Sequence, residues 1–247
     1  MSIKTSTITD HLKELRARLL KSVIFLFIAF IFCYIFADKI YSFLLDPYVQ
    51  AVKDDPIERR MIFTALHETF LTYLKLAFFS SFCLSFPIII IQIWKFIAPG
   101  LYKDEKLALM PFLIATPILF ILGGMLVYYL IMPLAIKFFL SFETTATISG
   151  LPIQLEAKVN EYLSLVTKLI FAFGLSFQLP VLLTLLGKVG FLKSDSLKKR
   201  RKYVVVMIFA AAAILTPPDP ITQIGLALPL LLLYELSIIT VKFVEKK

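Results

Sequence analysis

Three parts of this chain place polar chemistry where little else is polar. The first is the stretch HLKELRARL, 11–19, in which Glu14 stands among Lys13, Arg16 and Arg18. A carboxylate there can accept a guanidinium, either from its own helix or from a ligand. The second is APGLYKDEK, 98–106, where Asp104 and Glu105 sit between lysines. The third is a pair of isolated groups, Gln178 and Glu235, each inside an apolar run where an unsatisfied polar atom is costly. Catalytic or metal chemistry finds no such foothold. His11 and His67 are the only histidines, no CxxC or HxxxH spacing occurs, and no Ser/His/Asp set or phosphate-binding loop is present. No metal, cofactor or enzymatic activity is expected.

Each polar group also has an ordinary reading. Asp10 or Thr9 can cap the start of a helix. On that helix Leu12, Leu15 and Leu19 form an apolar stripe. Glu14 faces away from the stripe, four residues before Arg18, in the order that favours an ion pair worth ~0.2–0.5 kcal/mol. Periodicity alone prefers this pair to a binding role. Asp104 and Glu105 can instead complement the dipole of the next helix. Gln178 suits a helix-packing hydrogen bond or a hydrated spot facing a cavity. Glu235 is read as structural, satisfied by Lys242 or water. Lys75 can snorkel, and Cys33 and Cys83 are read as small buried apolar residues rather than a pair.

The elements that must position these groups follow from composition. Hydrophobic residues make up 59% of the 247, charged residues only 17%, and the mean hydropathy is +0.86. A soluble domain averages roughly 45–50% apolar and about 25% charged, so the chain reads as an all-α polytopic membrane protein. Its expected parts are a leader helix (1–21) and six spans at 22–43, 68–94, 107–133, 156–187, 203–216 and 221–241. Outer connections fall at 44–67, 134–155 and 217–220, the first two holding short amphipathic helices. Inner connections fall at 95–106 and 188–202, with a tail at 242–247. No cleaved signal peptide is expected.

The net charge of +9 is explained by lysine and arginine on one membrane side and by anionic lipid headgroups, not by nucleic acid. That distribution, including KKRRK at 198–202, puts both termini in the cytoplasm. The last two spans are short: 203–216 rises only about 21 Å, less than the ~30 Å hydrocarbon core. Prolines 87, 111, 117, 180 and 229 lie inside predicted helices and bend them, which suggests a concave body. LSFPIIIIQIWKF (84–96) and LSFQLPVLLTLLGKV (175–189) are a weak internal echo. A small-molecule secondary transporter is the runner-up reading.

Taken together, HLKELRARL, FIAPGLYKDEK, YLSLVTKLIFAFGLSFQLP, RKYVVV, LTPPDPITQ and LLYELSI resemble the TatC family in order and spacing over nearly the whole chain. TatC is the core membrane subunit of the twin-arginine protein translocase. The resemblance implies a multi-pass protein of a prokaryotic cytoplasmic membrane that exports folded proteins, driven by the proton-motive force. It implies twin-arginine signal peptides as ligands, TatA- and TatB-like single-span subunits as partners, and homo- and hetero-oligomers among membrane lipids. It assigns the arginine pair to Glu14 and Glu105, flanked by Arg16 and Arg18. Tyr128, Thr216 and Gln223 resemble a partner-helix docking site. Pro47, Glu68 and Asp219 match outer-face positions. Two departures stand out: Gln178 replaces a glutamate common in the family, and Thr69 stands where proline is common.

Overall fold

Helical periodicity in the first apolar run meets no glycine or proline before residue 37, and the chain forms one uninterrupted helix there. A computed structural model describes residues 8–53, 59–97, 110–143, 153–215 and 220–245. In it α1 (Ile8–Ile35) joins the leader and the first span, which the sequence had separated at residue 21. The helix ends before the predicted residue 43. A turn at Phe36 starts α2 (Ala37–Val52), which runs through Pro47 and well into the predicted outer connection. Ala37, Leu44 and Tyr48 are buried along one side of α2, while Asp38, Lys39, Ser42 and Gln50 occupy the other. That two-sided pattern makes α2 amphipathic, unlike the apolar α1.

The next elements are α3 (Glu68–Ile97) and α4 (Met110–Leu126). α4 passes into a π-helical turn (Val127–Ile131) and then α5 (Met132–Leu140). The sequence placed the end of this span at Pro133, but the helix continues to Leu140. The π turn is the reason. Met132 N–H reaches back five residues to the Val127 carbonyl, and Pro133 falls in the first turn of α5, where a missing donor costs little.

The predicted span 156–187 is two helices, α6 (Val159–Ser176) and α7 (Leu179–Lys188), with Pro180 at the second position of α7. Gly190, at φ 84°, stops α7; Phe191 N–H bonds the Leu186 carbonyl at 2.9 Å, a Schellman-type end. α8 (Ser194–Leu215) starts well before residue 203, so the KKRRK run is helical rather than loop. α9 (Pro220–Glu245) has 26 residues, which corrects the expectation of a short last span: Pro229 lies within it without ending it.

Among the described residues there is no sheet, and an isolated parallel bridge links Ile62 and Lys158. Five helical stretches are long and apolar enough to cross a membrane: Leu12–Ile35, Glu68–Ile93, Pro111–Leu140, Val159–Lys188 and Thr222–Glu245. α8 is not among them, because its first turns carry the basic run and only 203–215 is uncharged.

The chain divides into two compact units. One comprises Met1–Ile40 and Tyr73–Pro117, the other Tyr41–Thr72 and Ile118–Lys247. In the first, α1 is mostly exposed: only 11% of its membrane window is buried, and Val23, Ile24, Phe27 and Ile28 face outward, as lipid-facing side chains do. Cys33 and Cys83 are free thiols within it. In the second unit α9 packs against α7 and α8, and 44% of its window is buried. Leu197, Tyr234, Ile238 and Val241 form a cluster there, and Tyr234 Oη donates to the Leu197 carbonyl at 2.8 Å. α4 and α6 approach closely at Gly123, where a Cβ would stand 2.8 Å from the Phe173 carbonyl oxygen. Membrane helices use small residues in this way to bring backbones together.

Candidate functional site

Glu14 and Arg18 lie one helical turn apart on α1, and the expected ion pair forms. Glu14 Oε1 accepts from Arg18 Nε at 3.1 Å and from Arg18 Nη2. Both side chains are half-buried, whereas Arg16 is exposed. Leu12, Leu15 and Leu19 are exposed on the same helix, so their stripe is not core. The carboxylate is thus presented to a guanidinium along an edge with two donors, the geometry for which arginine is suited and lysine is not. Glu105 and Asp104 lie outside the described residues.

Gln178 sits in the break between α6 and α7. Its main-chain N–H bonds Leu175 O at 2.9 Å, a three-residue turn rather than the four-residue helical step. Its side-chain Nε2 donates to the Gly174 carbonyl at 3.2 Å. The amide therefore stands in for a main-chain donor at a helix break. This hydrogen bond is made within one span. Glu235 is also satisfied, but by Arg201 Nη2 of α8 at 2.5 Å rather than by Lys242.

Among the described residues, Tyr128 and Gln223, both matched to partner docking, make separate contacts. Tyr128, in the π turn, donates its hydroxyl to the Phe43 carbonyl at 2.9 Å and stacks on the Phe43 ring, 4.6 Å between centroids. Gln223 Nε2 of α9 donates to the Phe209 carbonyl of α8 at 3.4 Å. Tyr128 instead joins Pro47: both line a groove of about 510 Å³ with Asp46, Gln50, Tyr129 and Pro133. Thr216 and Asp219 lie outside the described residues.

Glu68 begins α3 as a cap. Its Oε2 accepts from Thr64 N at 2.7 Å, Ala65 N at 3.2 Å and Thr64 Oγ1 at 3.2 Å, which closes the turn leading into the helix. Sequence reasoning missed a second anchor nearby. Arg59 meets Glu143 with both ends of its guanidinium, and the side chains are only 9% and 14% exposed. Glu143 Oε1 also accepts Leu155 N–H at 2.7 Å. Beside it Ile62 pairs with the strand-like 157–159 backbone, and Arg60 reaches Glu156 at 3.3 Å. The mixed charges of 44–67 and 134–160 were visible in the sequence, but not which acid each arginine takes.

Comparison with known proteins identifies the family of the chain as a whole. The family described as "Sec-independent protein translocase protein (TatC)" matches residues 10–229. The chain belongs to the TatC family. A TatC of Magnetococcus marinus is 48% identical over 97% of this chain and 85% of its own length. The TatC of Escherichia coli K12 is 36% identical over 98% of this chain and 91% of its own. The crystal structure of a twin-arginine translocase receptor, TatC, superposes with a TM-score of 0.79 at 35% identity, covering 95% of this chain and 99% of the other. TatC proteins are components of a protein translocase, not enzymes, and this member is a multi-pass protein of the inner membrane.

Proposed function

We propose that this chain is the signal-peptide receptor of a twin-arginine translocase, with Glu14 as one carboxylate of the binding site and Glu105 as the other. The observation that carries the reading is the Glu14–Arg18 contact, in which the carboxylate takes a guanidinium through two of its nitrogens. Glu105 supplies the second acid by its place in FIAPGLYKDEK, the loop that resembles the family's binding loop. Each carboxylate takes one arginine of the pair. The surrounding Lys13, Arg16 and Lys21 repel cations not so held.

In this reading all six spans cross the membrane, with α8 as the fifth, and both termini lie in the cytoplasm. The positive-inside bias supports that orientation. TatA- and TatB-like single-span subunits dock at polar positions of the third and last two spans, Tyr128, Thr216 and Gln223. The proton-motive force drives export. Membership in a protein translocase family favours this over solute transport.

The test is binding of a signal peptide to the purified full chain. A peptide with an RR pair binds. Its KK counterpart, or the receptor carrying both Glu14→Ala and Glu105→Ala, loses affinity at least tenfold, the scale of one lost charge-assisted contact of about 1.5 kcal/mol. Equal binding in all three arms refutes the reading.

A further inference from the structure

Lys168 lies on α6, nine residues after its first residue Val159 and within the candidate span Val159–Lys188. At ~1.5 Å per residue this is about 14 Å down the helix. The span's 30 residues rise roughly 45 Å, about 15 Å more than the hydrocarbon core. Ten residues into a span that exceeds the hydrocarbon thickness, Lys168 lies within about one side-chain length of the headgroups. A lysine so placed extends its stem toward the headgroups. Lys168 is exposed and has no hydrogen-bond or ion-pair partner among the described residues.

The surroundings of Lys168 are built in two parts. Ser164 stands one turn before it on the same face of α6, toward the headgroups, and adds a hydroxyl. Opposite, the end of α8 contributes Ile214 and Leu215, and Leu165 completes an apolar wall. Ile214 is 84% exposed, more than any neighbour of the groove that α8 supplies. The space between is about 620 Å³, room for a headgroup and the upper part of one acyl chain. Glu161 also lines the groove, but Lys158 Nζ lies 3.5 Å from its carboxylate and offsets its charge. A cation and a hydroxyl at headgroup reach, above an apolar wall, complement an anionic amphiphile. Water alone would leave the apolar wall wet, and a neutral headgroup would leave the lysine without an anion.

We propose that this groove between α6 and the end of α8 binds an anionic phospholipid, its phosphate on Lys168 and Ser164 and an acyl chain along Leu165, Ile214 and Leu215. The site is independent of the signal-peptide reading, since none of its residues lies in the leader or the 98–106 loop. Because α8 has no membrane-length apolar window of its own, a lipid seated against its end covers apolar side chains there.

The experiment is native mass spectrometry of the full chain released from vesicles of equal phosphatidylglycerol and phosphatidylcholine. The wild type retains phosphatidylglycerol in preference, Lys168→Gln lowers that retention about fivefold, the worth of one basic residue at a charged membrane surface, and Lys168→Arg preserves it. Unchanged retention in Lys168→Gln, or equal retention of the two lipids by the wild type, overturns the proposal. A second measurement needs no variant: photoreactive phosphatidylglycerol on the wild type labels peptides containing 160–168 or 214–215. Labelling confined to other peptides, or capture of a single-span protein at Ser164 in place of lipid, overturns it as well.

Discussion

Arg59 holds Glu143 through both ends of its fork: Nη1 lies 2.8 Å from Oε1 and Nη2 2.6 Å from Oε2, across 84 residues of sequence. The same carboxylate takes the Leu155 amide, so one acid ties three chain segments of the second unit together. Both side chains are nearly buried, and removing one partner takes from the other its paired opposite charge. Arg59→Ala is therefore expected to destabilise the protein by about 3 kcal/mol. Arg59→Lys recovers only part of this, because an ammonium cannot make the paired contact. Thermal unfolding of the detergent-solubilised protein measures both. A Tm for Arg59→Ala equal to wild type would show that the pair contributes nothing.

The Glu14–Arg18 pair is different in kind: it is local, half-buried and worth only ~0.2–0.5 kcal/mol to the helix. Under the proposed function it also occupies the carboxylate assigned to a peptide arginine. Arg18→Ala is expected to leave stability within about 0.5 kcal/mol of wild type while changing both the affinity for an RR peptide and its salt dependence. Titration of a labelled peptide at two ionic strengths reads this out. If neither quantity moves, Arg18 is not a competitor for the site.

At Gly123 the backbone of α4 touches that of α6, and an added Cβ would stand 2.8 Å from a carbonyl oxygen that cannot move aside as a side chain could. Gly123→Ala is expected to cost about 1–3 kcal/mol, the range for overpacking a tight contact. Gly124→Ala serves as the control, since its Cβ would meet only the Ile170 methyl group at 3.4 Å. Equal unfolding temperatures for the two variants would count against the close approach.

Gln178 replaces a main-chain donor for the Gly174 carbonyl at the break between α6 and α7. Gln178→Leu removes that donor while keeping the side chain's bulk, and should cost about 1 kcal/mol. Gln178→Glu keeps the shape but can donate only while protonated, so its cost should rise with pH. Comparing the stabilities of the two variants checks the role. A Gln178→Leu protein as stable as wild type would leave the amide free for some other task.

Much of this molecule was legible without coordinates. Apolar runs outlined the five helical stretches long enough to cross a membrane, since their hydropathy is a property of residue type alone. Glu14 and Arg18 could be paired on paper because a helix brings residues four apart together whatever surrounds it. The motif order gave the family. What the sequence could not supply were the relations that depend on distance through space. Pro133 looked like a stop, yet a π turn absorbs it. Glu235 had Lys242 nearby in sequence, but helix packing brings Arg201 instead. Gln178 suited either a helix-packing bond or a hydrated spot, and only the structure shows its amide nitrogen bonded to the Gly174 carbonyl of its own span. Arg59 and Glu143 carried no mutual signal, because an ion pair closed across 84 residues depends on how the chain folds back rather than on local periodicity. Local geometry follows from short-range sterics and hydrogen bonding, which the sequence encodes directly. The partners of a long-range charge are chosen only when the tertiary structure brings the segments together.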